Sequence, residues 1–209
     1  MLRILIADDH TVVRRGLRQI LMDDFPAAVV DEVADAEELV KKVMTDTWNV
    51  VITDLNMPGR SGLDALNQIK QISPDLPVLI LSVHPEEQYA LRVLKAGASG
   101  YLNKDSAPNE LVKAVQRVLL GKKYISATVA EKLAGSFSPD GDKPVHEYLS
   151  DREFDVMKLL AGGKTVSDIA STLSLSVTTV STYRARLMAK LNLKTNSDLT
   201  KYAIEHQLI

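Results

Sequence analysis

VVITDLNMPG, residues 50–59, decides how this chain folds. Its first four residues are apolar or β-branched, which is typical of a strand buried on both faces of a sheet. The run ends on one carboxylate, Asp54, and the Pro58-Gly59 pair predicts a turn shortly after it. An acid at the carboxyl end of a buried strand lies where open α/β sheets keep their functional sites. Taken alone, Asp54 is explained equally well as the cap of the following helix.

Length, composition and charge narrow the possible classes of protein. The 209 residues include no cysteine, which excludes a disulfide framework and a thiolate zinc site. The longest apolar runs, such as residues 78–81, are far shorter than the roughly 20 residues that cross a bilayer, and the N-terminus does not resemble a secretory signal. We therefore expect a cytoplasmic protein without membrane contact. Residues 1–148 carry a net charge of −4 and residues 149–209 a net charge of +2, which indicates two modules, only the second suited to a polyanion.

Strand-like and helix-like runs alternate over the first 120 residues. The predicted strands are residues 3–7, 28–34, 50–53, 78–81 and 100–102. The predicted helices are residues 11–22, 37–44, 61–72, 86–96 and 107–120. Five such units predict a five-stranded, doubly wound parallel sheet with helices on both faces. In the first helix, Val12 is expected on the buried stripe together with Leu17 and Leu21.

Five polar residues occur at the carboxyl ends of these strands, namely Asp8, Asp9, Asp54, Ser82 and Lys104. In a parallel sheet these ends share one edge, so the five side chains are expected to converge. Three close carboxylates raise one another's pKa unless a cation lies among them, and with oxygen ligands Mg²⁺ is the natural cofactor. A carboxylate beside Mg²⁺ can form an aspartyl phosphate, with Lys104 neutralising phosphoryl oxygens and Ser82 donating a hydrogen bond.

The same 120 residues resemble the receiver domain of two-component response regulators, which has a flavodoxin-like fold. The resemblance is carried by the adjacent Asp8 and Asp9, by Asp54 within Asp-Leu-Asn-Met-Pro-Gly, by Ser82 after an apolar strand, and by Lys104 three residues after an aromatic. It implies that a cognate sensor histidine kinase phosphorylates Asp54.

The resemblance also implies roles for further residues of the site. Mg²⁺ would be held by Asp8, Asp9, Asp54 and the backbone carbonyl of Asn56. Ser82 and Tyr101 would form a switch pair, in which the hydroxyl turns to the phosphoryl group and the ring follows inward. Asn56 and His84 lie two residues beyond the acceptor and the hydroxyl residue, so we expect them to influence the lifetime of the phosphate.

A linker is predicted between two domains. Residues 128–133 have the spacing of a short helix, and residues 135–144 are rich in turn formers without a period. The predicted domains are a receiver at residues 1–121, a linker at residues 122–147 and a second domain at residues 148–209.

The last 62 residues predict an all-α domain of four helices. Ser150 and Glu153 have the spacing of a capping box at the start of the first helix. A three-residue break at residues 174–176 separates the second helix from the third, whose outer face is polar, and this pattern predicts a helix-turn-helix. The buried stripe of the third helix is expected to contain Val177, Val180, Leu187 and Leu191. An ordinary helical bundle with a solvated face would show the same features.

Four segments of this domain, residues 148–153, 169–170, 176–180 and 189–191, resemble the LuxR/NarL type of DNA-binding domain. The whole chain is therefore similar to a NarL/FixJ-type regulator, which implies double-stranded promoter DNA as a partner. The candidate DNA contacts are Thr178, Thr179, Ser181, Thr182, Arg184, Ala185, Arg186 and Lys190. Arg184, Arg186 and Lys190 are expected to anchor phosphates. The family usually dimerises through the fourth helix, here through Ser197, Thr200, Lys201 and Ile204.

The combined prediction is a phosphorylation-switched transcription factor that binds DNA as a homodimer and is not a turnover enzyme. One alternative is a magnesium-dependent phosphatase of the haloacid-dehalogenase kind. Those enzymes place Asp-x-Asp after the first strand, whereas Asp8 and Asp9 are adjacent and the best nucleophile follows strand three. A second alternative is a constitutive DNA-binding protein with an idle receiver, against which the intact acidic pocket argues.

Overall fold

The computed structural model describes residues 1–127, 129–131 and 144–209. The chain divides into two compact units, Met1–Phe137 and Ser138–Ile209. Within the short helix expected at residues 128–133, residues 129–131 are helical. The rest of that predicted helix and residues 135–143 of the predicted linker lie outside the described residues. No helix in the described part of the chain is long and apolar enough to cross a membrane.

The first unit contains the predicted parallel sheet. Its strands are β1 (Arg3–Ala7), β2 (Val29–Val33), β3 (Val50–Asp54), β4 (Val78–Ser82) and β5 (Gly100–Asn103). They pair in parallel in the order β2-β1-β3-β4-β5, which confirms the flavodoxin-like fold. The strand order reverses between β1 and β3, so their carboxyl ends border the crevice in which such sheets bind ligands.

Five helices cover the two faces of the sheet. They are α1 (Thr11–Asp24), α2 (Ala36–Thr45), α3 (Gly62–Ile72), α4 (Glu86–Lys95) and α5 (Ala107–Leu119). Side chains from α1 and α5, such as Leu21 and Leu111, pack with Ile6 and Ile52 of the sheet in one core. Leu5, on the opposite face of β1, is also fully buried, so apolar side chains from both faces of the strands leave water.

The expected position of Val12 on the buried stripe of α1 is wrong, because its side chain is 85% exposed. Leu17 and Leu21 are buried as expected. The first turn of α1 begins at the carboxyl edge of the sheet, so the helical period places Val12 where no strand lies beneath it. The periodicity is correct over the rest of the helix.

The second unit is all-α, as predicted. A short 3₁₀ helix, Val145–Tyr148, precedes α6 (Asp151–Ala161), α7 (Val166–Thr172), α8 (Val177–Lys190) and α9 (Asn196–Glu205). Helix α6 packs against α8 and α9, and α7 packs against α8. Val180, Leu187 and Leu191 are buried as predicted, but Val177 is 51% exposed. It was misassigned because it is the first residue of α8, before the helix reaches its neighbours.

Each of the four α-helices of the second unit begins with a side-chain cap. Ser150 with Glu153, Thr165 with Asp168 and Thr195 with Asp198 form capping boxes at α6, α7 and α9. At α8 the hydroxyl of Ser176 accepts from the backbone N–H of Thr179 at 3.0 Å. The helix-turn-helix pair is therefore bounded by local hydrogen bonds at both helix starts.

Gly62 allows α3 to begin directly against the end of β3. A Cβ at this position would lie 1.9 Å from the carbonyl oxygen of Asp54. We predict that Gly62→Ala lowers the free energy of unfolding of the first unit by roughly 1–3 kcal/mol, because the backbone must shift to make room. Urea unfolding followed by the fluorescence of Trp48, the single tryptophan of the chain, measures this unit alone.

Gly16→Ala is the matched control for this substitution. A Cβ at Gly16 would meet nothing within 4 Å. We expect this helical glycine to gain about 0.5–1 kcal/mol of stability when it becomes alanine. Unchanged stability of Gly62→Ala would contradict the close approach of α3 to β3.

Candidate functional site

The carboxyl edge of the sheet brings together residues that are distant in the sequence. Asp8 follows β1 and is 0% exposed, and Asp54 ends β3 and is 3% exposed. Lys104 follows β5, and its backbone N–H donates to the carbonyl oxygen of Ser82 at 2.8 Å. The loop after β5 is thus attached to the end of β4, which fixes where the lysine leaves the sheet.

The ammonium of Lys104 lies between two buried carboxylates. Its Nζ is 2.7 Å from Oδ2 of Asp54 and 2.7 Å from Oδ2 of Asp8. The other carboxylate oxygen of Asp54, Oδ1, accepts the backbone N–H of Asn56 at 3.2 Å. These contacts orient the carboxylate of Asp54 from both of its oxygens.

Burial and the contact between Asp54 and Lys104 have opposite effects on the pKa of each group. Burial raises the pKa of the Asp54 carboxyl and the negative charge of Asp8 adds to this effect, while Lys104 opposes it. Burial lowers the pKa of the Lys104 ammonium, but its close contacts with the carboxylates of Asp54 and Asp8 outweigh burial and raise it. The lysine is therefore firmly protonated, and the site still carries more negative than positive charge.

The donor set fits a hard divalent cation. One ligand atom from each of Asp8, Asp9, His10 and Asp54 lies within 4.8 Å of the others. Oδ2 of Asp8 and Oδ1 of Asp9 are buried and accept no well-aligned hydrogen bond from the described residues, although Lys104 Nζ and His10 Nδ1 approach them to 2.7 Å. Three carboxylates and one ammonium leave an excess of two negative charges, which a divalent ion would balance.

Three residues around the acidic pair were not predicted from the sequence. The backbone N–H of His10 donates to Oδ1 of Asp8 at 2.7 Å, and Arg14 donates to the carbonyl oxygen of Asp8 at 2.6 Å. Nε of Arg14 lies 3.4 Å from the carboxylate of Glu32 on β2. The position of His10 directly after Asp8-Asp9 was an available signal. The Arg14–Glu32 contact had none, because it depends on β2 lying beside β1.

His84 contacts several residues that follow strands β3 and β4. Its Nε2 lies 2.8 Å from Nδ2 of Asn56, and its ring stacks on Tyr89 with centroids 4.8 Å apart. The hydroxyl of Ser82, which is buried, accepts the backbone N–H of His84 at 3.1 Å. The hydroxyl of Tyr101 donates to the carbonyl oxygen of His84 at 2.8 Å. The two residues of the predicted switch pair therefore contact the same loop residue.

In the second unit, α8 presents a polar outer face. The exposed residues among the predicted DNA contacts are Thr178, Ser181, Thr182, Ala185, Arg186 and Lys190. Thr179 is half-buried, and its hydroxyl lies 2.7 Å from that of Ser176. The hydroxyl of Thr182 donates to the carbonyl oxygen of Thr178 at 2.9 Å. Most side chains on this face are small, and Arg186 adds a positive charge. Such a face suits a DNA groove, whose edges are lined with phosphates.

The three predicted phosphate anchors differ in their contacts. Arg184 donates from Nε and Nη2 to Oδ1 of Asn196, at 3.2 and 2.8 Å. Lys190 Nζ lies 2.6 Å from Oε2 of the buried Glu153 on α6. Arg186 is exposed and, within the described residues, forms no hydrogen bond or ion pair. The Lys190–Glu153 pair joins residues 37 positions apart, which the sequence pattern did not reveal.

The predicted dimerisation residues lie along α9. Ser197 and Lys201 are exposed, Ile204 is 60% exposed, and all three border a shallow groove of about 440 Å³. The hydroxyl of Thr200 donates to the carbonyl oxygen of Ala161 at 3.2 Å, which attaches α9 to the end of α6. An exposed isoleucine between polar neighbours leaves apolar area available for contact.

The first unit has an acidic pocket, bridged by a lysine, on a parallel sheet of strand order β2-β1-β3-β4-β5, and the second unit has a basic helix-turn-helix. This combination defines the class of protein as a response regulator with an effector domain. The family models agree, since "Response regulator receiver domain" matches residues 4–116 and "Bacterial regulatory proteins, luxR family" matches residues 147–203. The chain belongs to the NarL/FixJ family of two-component response regulators, which have a receiver domain and a LuxR-type DNA-binding domain.

Relatives resemble the chain along its whole length. Response regulator UvrY of Escherichia coli (strain K12) is 38% identical over 209 residues, which cover 100% of this chain and 96% of UvrY. Response regulator GacA of Pseudomonas protegens is 37% identical and covers 100% of this chain and 98% of its own. The structure of RcsB from Salmonella enterica serovar Typhimurium, bound to promoter rprA with the phosphomimetic BeF₃⁻, has a TM-score of 0.64 at 28% identity, covering 97% of this chain and 98% of RcsB.

The Lys190–Glu153 pair generates a prediction about stability. Burial raises the pKa of Glu153, but hydrogen bonds from Lys190 and Ser150 outweigh it and leave the pKa below its ordinary value. We predict that Lys190→Met destabilises the second unit by roughly 1–2 kcal/mol at neutral pH, because a buried carboxylate loses its partner. Hydrogen exchange of α6 and α8 amides in the full chain measures the loss.

The pH dependence of this effect has a defined sign. A carboxyl with a lowered pKa in the folded state contributes stability that is present at neutral pH and is lost as the pH falls through that pKa. The difference between Lys190→Met and the natural chain should therefore shrink on acidification. Lys194→Met, at an exposed position, is the control and should leave stability unchanged; an equal loss in both variants would contradict the role of the pair.

Proposed function

We propose that Asp54 accepts a phosphoryl group from a cognate sensor histidine kinase and that this modification controls dimerisation and promoter binding. The observation that carries the proposal is the buried carboxylate of Asp54 with the ammonium of Lys104 at 2.7 Å. An oxygen of Asp54 attacks the phosphorus of the phosphohistidine and an O–P bond forms as the N–P bond breaks. The departing imidazole keeps the electron pair and is protonated. Lys104 remains beside the transferred group and neutralises its oxygens.

Asp8, Asp9, Asp54 and the backbone carbonyl of Asn56 are the residues that would hold Mg²⁺ in this proposal. The bound ion supplies charge neutralisation for the phosphoryl oxygens. Asp8 is also held by Lys104, His10 and Arg14, so the chain itself keeps this carboxylate in place. The protein acts stoichiometrically, with one phosphoryl group on Asp54 until hydrolysis removes it, and not as a turnover enzyme.

The switch pair is proposed to respond through His84. The hydroxyl of Ser82 accepts a hydrogen bond from the backbone N–H of His84. This hydrogen bond is lost if the hydroxyl turns to the phosphoryl group. The carbonyl of His84 is the acceptor for the hydroxyl of Tyr101, so the same loop movement reaches the tyrosine. Converting a rare conformation to the dominant one takes about 5.5 kcal/mol of differential binding.

The output in this proposal is a homodimer on double-stranded promoter DNA, with α8 in the major groove and α9 at the dimer contact. The exposed face of α8 and the exposed Ile204 of α9 support this assignment. RcsB, a structural neighbour, has been solved as two dimers on two parallel DNAs. We keep the domain limits of residues 1–121, 122–147 and 148–209, and place the protein in the cytoplasm, where promoter DNA lies.

Replacing the acceptor tests the central step. We predict that Asp54→Ala abolishes phosphorylation by acetyl phosphate with Mg²⁺, because the substitution removes the carboxylate that accepts the phosphoryl group in this proposal. Promoter affinity under these activating conditions should fall to that of the unphosphorylated chain. Intact-mass measurement and a DNA mobility shift provide the readouts, with Asp24→Ala at the exposed end of α1 as the control. Full retention of both properties would refute the switch, and turnover of a generic phosphomonoester would favour the phosphatase.

The contact between Asn56 and His84 generates a second test. We predict that His84→Ala shortens the half-life of the aspartyl phosphate severalfold, because the side chains that now meet at 2.8 Å no longer cover the path of the attacking water. Val83→Ala removes a neighbouring exposed side chain and should leave the half-life unchanged. An identical decay in His84→Ala and the natural chain would show that the pair does not shield the acceptor.

Arg186 is the cation of α8 with the clearest access to a phosphate. We predict that Arg186→Ala weakens promoter binding and reduces the slope of log affinity against log salt by about 1. Stability should not change, because the guanidinium is exposed. Fluorescence anisotropy on labelled promoter DNA at several salt concentrations measures the slope, and Lys41→Ala in the receiver is the charge-matched control. An unchanged slope would remove Arg186 from the phosphate contacts.

A further inference from the structure

The chain that leaves α5 returns to the open edge of the sheet. Tyr124 lies beside β5, the outermost strand, and forms a parallel bridge with Gly100. Its backbone N–H donates to the carbonyl oxygen of Ser99 at 2.8 Å, and its carbonyl oxygen accepts the backbone N–H of Tyr101 at 3.3 Å. The first residues beyond the receiver helices are therefore hydrogen-bonded to the backbone of a switch residue.

Gly100 is what allows this approach. A Cβ at residue 100 would lie 2.6 Å from the carbonyl oxygen of Tyr124 and 2.9 Å from its Cβ. Both distances are shorter than real Cβ contacts, so any larger residue at this position must displace Tyr124. The glycine is thus required by the close approach of two backbones.

Side chains of α5 hold the returning segment in place. Nε of Arg117 donates to the carbonyl oxygen of Lys123 at 2.8 Å, and the ammonium of Lys123 donates to the carbonyl oxygen of Ala98. Burial raises the pKa of the Tyr124 hydroxyl, and the nearby acid Glu110 adds to this effect. The segment that follows α5 is therefore attached to the receiver by both its backbone and its side chains. A linker that only connects two domains would not need these contacts.

The opposite end of Tyr101 contacts the phosphoacceptor side of the sheet. Its hydroxyl donates to the carbonyl oxygen of His84, whose backbone N–H donates to the hydroxyl of Ser82. A continuous set of hydrogen bonds thus joins Ser82, His84, Tyr101 and Tyr124. Tyr101 and Tyr124 both border a cavity of about 560 Å³.

We infer that Tyr124 is a positioning residue of the switch: its pairing with the Tyr101 backbone couples the phosphorylation state of Asp54 to the start of the linker. The inference rests on the proposed function, because it needs Asp54 to be the acceptor. A change at Tyr101 alters the bond to the carbonyl of Tyr124, and residues 122–126 change their attachment to β5 in response. Coupling of this kind requires an element that both ends bias, and the paired edge is that element.

Hydrogen exchange tests the coupling directly. The full chain is measured with and without acetyl phosphate and Mg²⁺, and peptides containing the amides of Tyr101 and Tyr124 are followed. Phosphorylation should change the exchange of both amides together, while amides of β1 remain unchanged. Phosphorylated chain with unchanged exchange at residues 101 and 124 would overturn the inference.

Two substitutions break the pairing without touching the acidic pocket. Gly100→Ala displaces Tyr124 at the backbone, and Arg117→Gln removes the bond to the carbonyl of Lys123. In each, we expect phosphorylation by acetyl phosphate to be unchanged and the phosphorylation-induced gain in promoter affinity to fall at least about fivefold, the lower limit of a typical coupling. Gly16→Ala is the matched glycine control and should retain the full gain.

The outcomes separate this inference from the proposed function. If the natural chain is not phosphorylated, or gains no promoter affinity when it is, the proposed function fails first. If the natural chain responds and both variants respond equally, the role of Tyr124 is refuted. Gly100→Ala also brings its Cβ within 2.8 Å of Leu79, so where that variant does not fold, Arg117→Gln decides the question.

Discussion

One ammonium group between two buried carboxylates is the interaction on which the receiver depends. Asp8 and Asp54 follow different strands, and each would be costly to bury as an isolated charge. Lys104 comes from a third strand and approaches both to 2.7 Å, so its position requires β1, β3 and β5 to be in their native order. The lysine only partly neutralises the carboxylates, and the remaining negative charge suits the divalent ion of the proposed function.

The fold and the residues that form this pocket could be predicted, because both follow from local sequence patterns. Alternating strand and helix periods specify a parallel sheet, and a parallel sheet places all its carboxyl ends on one edge. Asp8, Asp54 and Lys104 therefore had to lie near one another once their strands were recognised. The helix starts at Ser150 and Ser176 were equally visible, because a capping residue acts on the backbone only two or three positions away.

The errors and omissions come from contacts that no local pattern contains. Val12 and Val177 obey the helical period, yet each occupies the first turn of its helix, where at least half of its surface is exposed to water. The pairing of Lys190 with Glu153 was not predicted, because it joins residues 37 positions apart in the sequence. The return of Tyr124 to β5 depends on which strand is outermost. Each of these features depends on which helix or strand packs against the residue, and only the folded structure shows that.

The side-chain caps of the second unit have a consequence for how this chain can be recombined. Each of its four α-helices is preceded by a capping residue whose side chain accepts the backbone N–H three residues further along the chain. These residues are Ser150, Thr165, Ser176 and Thr195. The boundaries of the helix-turn-helix therefore need no help from a neighbouring module, and the register of its exposed face is set from within. Such a unit is portable: it can be grafted behind a different sensory domain, in evolution or in the laboratory, and keep the same residues on the outer face of α8.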